Sequence, residues 1–457
     1  MPKLIKFDVK KTLFSMAIPM LVGTITMNAY NLADTWYVSQ LGTVPLAAMG
    51  FTFPVVMFFT FIAGGVGTGI TALSSNAIGR QDNKTASNIV THGLILIVLL
   101  SAFLAITGYL SMDFIFSKLG ANEETLPLVK GYMNTWYMGA VFMAIPMMGN
   151  GILIALGDSK AASKFMAFGA IVNIILDPIL IFGWLGIAPM GIFGAALATV
   201  ISQALSTAWL VYLISVKYPL LNFKHPNLSL LTNSWKKITS FAIPSSLTMM
   251  LMPVSAGVIT ALVSKHGVEA VAAASAASRI EMFAFVIPMA LGMSLTPFVS
   301  QNYGGNRMDR IIEARSYSTK FALLYGIFIA ITFFISAPFL AAFFSEDPKV
   351  IEIFILYVRT ISFGYGMMEV HRYSGFFLTG MNKPSYTAIL NFARILGLLI
   401  PLSFLGNHLW GITGIFTGRL ITDLISGSIG IIWIGWIIKS KKKKQDKLIG
   451  STSPVTP

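Results

Sequence analysis

Apolar runs of roughly 20 to 30 residues, each long enough to cross a bilayer as a helix, recur from one end of the chain to the other. Short clusters of Gly, Pro and charged residues separate them. Read against that punctuation, the pattern predicts twelve segments, at 12–38, 46–77, 86–116, 126–156, 162–184, 190–216, 236–264, 270–300, 312–344, 350–379, 385–405 and 410–438. Several exceed the length a straight crossing needs, which predicts tilted or bent helices. The expected fold class is an all-α integral membrane protein with no soluble domain.

The two halves of the chain repeat. At an offset of 225, Ala17-Ile18-Pro19 matches Ala242-Ile243-Pro244, Gly42 matches Gly267 and Gly79 matches Gly304. Later, at 223, Gly157 matches Gly380 and Pro178 matches Pro401, and at 220 Gly191 and Gly194 match Gly411 and Gly414. Six helices per half is an even number, so both halves enter the membrane from the same side and relate by a pseudo-twofold along its normal. The expected organisation is an N-terminal bundle at 1–216, a connection at 217–235, a C-terminal bundle at 236–438 and a basic tail at 439–457, with the two bundles enclosing a cleft.

Composition agrees with this class. The 457 residues are 55% hydrophobic and 11% charged, against about 25% charged in a soluble domain, and the mean hydropathy is +0.75. Cysteine is absent, which excludes disulfides and thiolate metal sites. The five histidines show no HExxH spacing, and no phosphate-binding G-x-x-x-x-G-K-[ST] occurs. The net charge of +14 comes from basic residues at helix ends and in the tail, so membrane topology accounts for it better than nucleic acid does. Lys3, Lys6, Lys10, Lys11, the even-numbered loops and the Lys439–Lys447 cluster carry most of it, which predicts both termini on the cytoplasmic side of a prokaryotic cell membrane. The first run, 12–38, is too long for a cleaved signal sequence and reads as an anchor.

A few acids stand inside the apolar segments, where a charge costs roughly 2.5 to 3.5 kcal/mol on insertion scales and marks a functional site by default. Asp34 lies in segment one and Asp177 in segment five. The repeat provides a control: Ile259 stands opposite Asp34 and Ile400 opposite Asp177, so neither acid has the architectural duty that Pro178 shares with Pro401. Asn173 lies one turn before Asp177 on the same face, and Pro178 frees the carbonyl of Ile174 and is expected to bend the helix. Thr199 in segment six is either a further ligand or a packing hydroxyl. Oxygen clusters of this kind suit a hard cation or a shared proton. In the C-terminal half, Glu369 with Arg372 and Arg419 with Asp423 are spaced as same-helix pairs. Glu281 has no basic partner nearby in sequence and stands as a second site candidate. Methionines at Met147-Met148, Met249-Met250-Met252 and Met367-Met368 are either an adaptable surface for apolar ligands or plain core.

The six-plus-six helices, the Ala-Ile-Pro opening each half, Y-N-L-A-D in segment one and N-I-I-L-D-P in segment five resemble the multidrug and toxic compound extrusion (MATE) family, with likeness to its prokaryotic DinF-like branch. The resemblance implies antiport of organic cations or amphipathic drugs against H⁺ or Na⁺ by a protein that is not an enzyme and needs no cofactor. It also implies a coupling-ion site at Asp34, Asn173, Asp177 and Thr199. Glu281 resembles an acid that other branches place in the C-terminal half. A monomer is expected, with lipid as its surroundings. A flippase for lipid-linked sugars is the alternative, and would call for unpaired basic residues to hold a pyrophosphate.

Overall fold

The computed structural model describes residues 3–223 and 227–451; residues 224–226 of the expected connection and 452–457 of the expected tail lie outside the described residues. The helices are α1 (Val9–Ser39), α2 (Thr43–Gly79), α3 (Asn83–Leu110), α4 (Met112–Lys118), α5 (Leu126–Met138), α6 (Ala140–Ala155), α7 (Ser159–Phe182), α8 (Gly191–Tyr212), α9 (Leu228–Val263), α10 (Val268–Gly304), α11 (Met308–Phe344), α12 (Pro348–Ile361), α13 (Tyr365–Gly380), α14 (Pro384–Phe392) and α15 (Ile400–Ser451). A π-helical turn extends α8 to Lys217, and another, Ala393–Leu399, joins α14 to α15.

Among the described residues, ten helical runs are long and apolar enough to cross a membrane. Two breaks bring the crossings to the expected twelve. α5 and α6 bend by 56° at Gly139 and make one further crossing together. The run Pro384–Lys443 is 60 residues long, too long for a single crossing, and it breaks at Trp410 and Gly411, where Gly411 has φ 58°. The bend at Gly139 fits the expectation of bent helices, and the break at Trp410 and Gly411 falls at the boundary expected between the segments 385–405 and 410–438.

Contacts divide the chain into two units, one comprising Ser15–Ser246 and the other Leu4–Phe14 with Leu247 onward. The division runs within α1 and within α9. The first part of α9 packs on the first unit, where Trp235 Nε1 donates to the His92 carbonyl at 2.9 Å and Ser246 Oγ to the Phe61 carbonyl at 3.0 Å. In the second unit, Ala273, Ala277 and Ala284 give α10 a flat buried face against which Phe354, Tyr357 and Val358 of α12 pack.

The repeat appears in the backbone as well as in residue identities. Left-handed residues recur at an offset of 225: Gly42 (φ 107°) with Gly267 (φ 106°), Gln81 (62°) with Asn306 (56°), and Gly157 (72°) with Asn382 (61°). Gly191 (56°) and Gly411 (58°) correspond at 220. L side chains rarely adopt this region, so the turns of both halves are set by the same few positions. The backbone pairs Gly157 with Asn382 rather than with Gly380, two residues from the register that the Gly157–Gly380 identity suggests. In that register Leu402, not Ile400, stands opposite Asp177, and the position is apolar either way.

Asp158 caps α7 by accepting from the Ala161 N–H at 3.0 Å and from the Tyr218 hydroxyl, with the Lys217 ammonium 3.9 Å away. Burial pushes its carboxyl up, but the Tyr218 hydroxyl, the Ala161 N–H and Lys217 outweigh burial and hold it below the ordinary carboxylate range. A lowered folded pKa contributes stability above the unfolded value, 3.8, and that contribution is lost as pH falls through the folded value. We therefore expect Asp158→Asn to destabilise the purified protein by about 1 kcal/mol at pH 7. Thermal unfolding followed from pH 7 downward should show the gap between variant and wild type closing below pH 3.8; a gap independent of pH would rule out a charged cap.

Candidate functional site

Asp34 and Asp177 reach one interior from different helices. On α1, Leu32 and Trp36 are 73% and 57% exposed, which turns Asp34, two residues from each, to the opposite, buried side at 8%. On α7, Asn173 and Asp177 are spaced by one turn and are 1% and 0% exposed, and Thr199 of α8 is 7% exposed. The two carboxylates lie within electrostatic range of each other. α7 runs unbroken from Ser159 to Phe182 with Pro178 inside it.

The sequence reading expected Asn173 and Thr199 beside Asp177, and the structure places them there. With its NH₂ turned to the carboxylate, the Asn173 amide donates to Asp177 Oδ2 at 2.9 Å, while its oxygen accepts from the Thr199 hydroxyl at 3.3 Å. That orientation pairs both ends of the amide. Asp177 Oδ1 remains without a hydrogen-bond partner among the described residues. An unpartnered carboxylate oxygen in a buried site is expensive, and a proton or a cation there would relieve it.

Two tyrosines complete the site. Tyr30, one turn before Asp34, lies beside Thr199 and within electrostatic range of both aspartates. Tyr132 of α5 is 7% exposed and faces the same two acids and Tyr30. The i, i+4 spacing to Asp34 could have singled out Tyr30. Nothing in the sequence connects Tyr132, on a distant helix, to these acids.

Beside the acids the first unit holds a cavity of about 270 Å³. Met27, Met143, Met147, Phe165 and Met166 give it an apolar, deformable wall, and Tyr30, Asn150, Gln203 and Ser206 supply polar atoms. Asn150 Oδ1 and Ser206 Oγ are buried without a partner among the described residues. Apolar lining with a few convergent polar groups is the usual build of a small-molecule site. Of the methionine clusters noted in the sequence, only Met147 contributes to this wall.

The second unit's intramembrane acids have basic partners. Glu281, without one in its sequence neighbourhood, pairs with Arg419 of α15, and Tyr357 donates to its other oxygen at 2.8 Å. The expected Arg419–Asp423 pair is not formed: Asp423 pairs instead with Arg394, at 2.6 Å, on the π-helical turn before α15. Spacing on one helix says nothing of what the neighbouring helix presents. The Glu369–Arg372 pair forms as expected, at 2.9 Å.

A helical bundle repeated twice, spanning a membrane and keeping ionisable groups at depth, is the build of a secondary transporter. The MatE family model matches residues 19–179 and 244–405, and the chain belongs to that family of transporters rather than to any class of enzyme. The chain is 34% identical to a FAD transporter of Shewanella oneidensis, over 93% of this chain and 94% of that one. It is 27% identical to the multidrug export protein MepA of Staphylococcus aureus, over 92% of each. Its fold matches the crystal structure of an Asp-to-Asn mutant of the Vibrio cholerae MATE transporter VcmN, with a TM-score of 0.89 and 27% identity over 94% of this chain and 97% of that one.

Removing one member of a buried ion pair strands the other, at a cost of roughly 3 to 5 kcal/mol. Arg419→Met should therefore lower the thermal midpoint markedly, and Glu281→Gln combined with Arg419→Met should recover most of the loss. Equal midpoints for the single variant and wild type would show the pair to be without structural weight.

Proposed function

We propose that this chain is a secondary antiporter that exports amphipathic aromatic compounds, organic cations among them, in exchange for H⁺ or Na⁺ taken up at Asp34 and Asp177. Tyr30 carries this reading. It is at once a wall of the cavity and a neighbour of Thr199, in electrostatic range of both carboxylates. A change in charge at the acids therefore acts on a residue that a bound molecule touches.

The exchange follows from the hydrogen-bond inventory. When both acids are charged, Asp177 accepts from Asn173, and Oδ1 has no donor. A proton on Oδ1 turns an acceptor into a donor, and a Na⁺ there would draw the amide oxygen of Asn173 and the Thr199 hydroxyl toward itself. Either change reorders the contacts of Thr199 and Tyr30 and reshapes the cavity wall. By linkage, an ion that favours the state releasing the drug weakens drug binding, and the drug weakens ion binding by the same factor. The exchange needs no cofactor, and we place the chain as a monomer in a prokaryotic cell membrane with both termini cytoplasmic.

The relative named a FAD transporter extends the substrate class to flavins, which are aromatic and amphipathic and, as nucleotides, anionic. A lipid-linked sugar flippase is the weaker alternative, because three intramembrane arginines of the second unit, Arg372, Arg394 and Arg419, are already held by Glu369, Asp423 and Glu281, which leaves Arg279 as the exception.

Asp34→Asn and Asp177→Asn should each abolish ion-driven efflux of ethidium from proteoliposomes while leaving thermal stability near wild type. Ile259→Val and Ile400→Val should transport normally. In a fluorescence titration from about pH 8 to pH 5, ethidium affinity should fall with acid in the wild type and stay flat in the Asp34→Asn, Asp177→Asn double variant. Wild-type efflux in both single variants, or the same pH dependence in the double variant, would place the coupling site elsewhere.

A further inference from the structure

Arg279 of α10 is an arginine at membrane depth for which the described residues provide no partner. It lies ten residues beyond Glu269 at the start of the helix, or about 15 Å at 1.5 Å per residue. The other arginines at this depth in the second unit are held: Arg359 by the Phe334 carbonyl, Arg372 by Glu369, Arg394 by Asp423 and Arg419 by Glu281. Arg279 is exposed instead.

The exposed positions just before Arg279 on α10 are small or polar, and Met282 and Phe283 follow it. Ala272, Ser275, Ser278 and Arg279 form the exposed stripe of this part of α10. On α11 the exposed stripe is Leu324, Ile327, Phe328, Ile331, Ile335 and Phe339, all large and apolar. An arginine turned to hydrocarbon costs at least about 2.5 kcal/mol, and such residues face water-filled cavities or partners instead. The Arg279 face is therefore an aqueous one.

The column Ser275, Arg279, Phe283 repeats at i, i+4 and i+8, so a hydroxyl, a guanidinium and a ring follow one another at about 6 Å steps. Phe283 and its neighbour Met282 are 75% and 63% exposed. The guanidinium fork matches the oxygens of a phosphoryl group, the Ser275 hydroxyl can donate to the same group, and the ring can stack on a planar heterocycle. We infer that Arg279, with Ser275 and Phe283, forms a recognition site for aromatic substrates bearing a phosphoryl group. This rests on the export reading above and adds to it a second, anion-selective element in the second unit, apart from the acids of the first.

The test compares ligands differing by one phosphoryl group, flavin mononucleotide and riboflavin, with ethidium as a cationic control. Binding is read from flavin or ethidium fluorescence with the full-length protein in phosphatidylcholine nanodiscs. Flavin mononucleotide should bind wild type about tenfold more tightly than riboflavin, in line with a charge-assisted hydrogen bond. Arg279→Gln should erase that gap without weakening riboflavin or ethidium, Arg279→Lys should keep part of it, and Phe283→Ala should weaken both flavins equally. If riboflavin and ethidium bind but flavin mononucleotide gains nothing, or if the gap survives Arg279→Gln, the inference falls and the export reading stands. If none of the three ligands binds wild type, both fall. Added phosphatidylglycerol distinguishes a lipid headgroup: displacement of flavin mononucleotide only through Arg279, with no gap over riboflavin in its absence, would assign the arginine to lipid and overturn the inference.

Discussion

The carboxylate of Asp177 is fully enclosed, with one oxygen held by Asn173 and the other without a donor among the described residues. A fixed charge in that position is costly, and a well-packed apolar residue would make the bundle more stable. The arrangement makes physical sense for a group that exchanges its counter-ion. Asp34 approaches from another helix, so the two acids cannot both be charged without repulsion as well as desolvation. The polar groups beside them form a chain toward the cavity. Thr199 meets Asn173, Tyr30 meets Thr199, and Tyr30 is part of the cavity wall.

The two halves share a scaffold and differ in charge. Gly42 and Gly267, Gln81 and Asn306, and Gly191 and Gly411 give both halves the same left-handed turns. The acids follow no such symmetry. In the first unit Asp34 and Asp177 have no arginine or lysine partner among the described residues, whereas Glu281, Glu369 and Asp423 in the second each have an arginine. Acids paired with arginine have their counter-charge built into the fold, whereas Asp34 and Asp177 do not. The shared fold thus carries unpaired acids in one unit and ion-paired acids in the other.

The periodic apolar runs made the helices and their number legible, and residue identities at offsets near 225 made the repeat legible. The break near Gly411 was legible as the gap between the segments 385–405 and 410–438, whereas the bend at Gly139 was not, because it depends on the packing around it. Asn173 could be placed beside Asp177 because both lie on one helix. Across helices the sequence was silent: Glu281 meets Arg419 from 138 positions away, and Asp423 takes Arg394 instead of the arginine one turn before it. Tyr132 belongs to the site for the same reason, through a helix crossing that no local spacing encodes. Arg279 stands in the sequence inside an apolar run, but only the structure shows that it has no partner among the described residues.

The proposed coupling at the acids requires drug and ion to move against each other through one protein. The most direct measurement imposes an ethidium gradient across proteoliposomes with no ion gradient present, and follows a trapped pH dye and radiolabelled Na⁺ at the same time. Movement of ethidium should drive counter-movement of H⁺ or Na⁺ in fixed proportion, and none in the Asp34→Asn, Asp177→Asn double variant. Ethidium crossing through the wild type with neither ion moving would contradict the account.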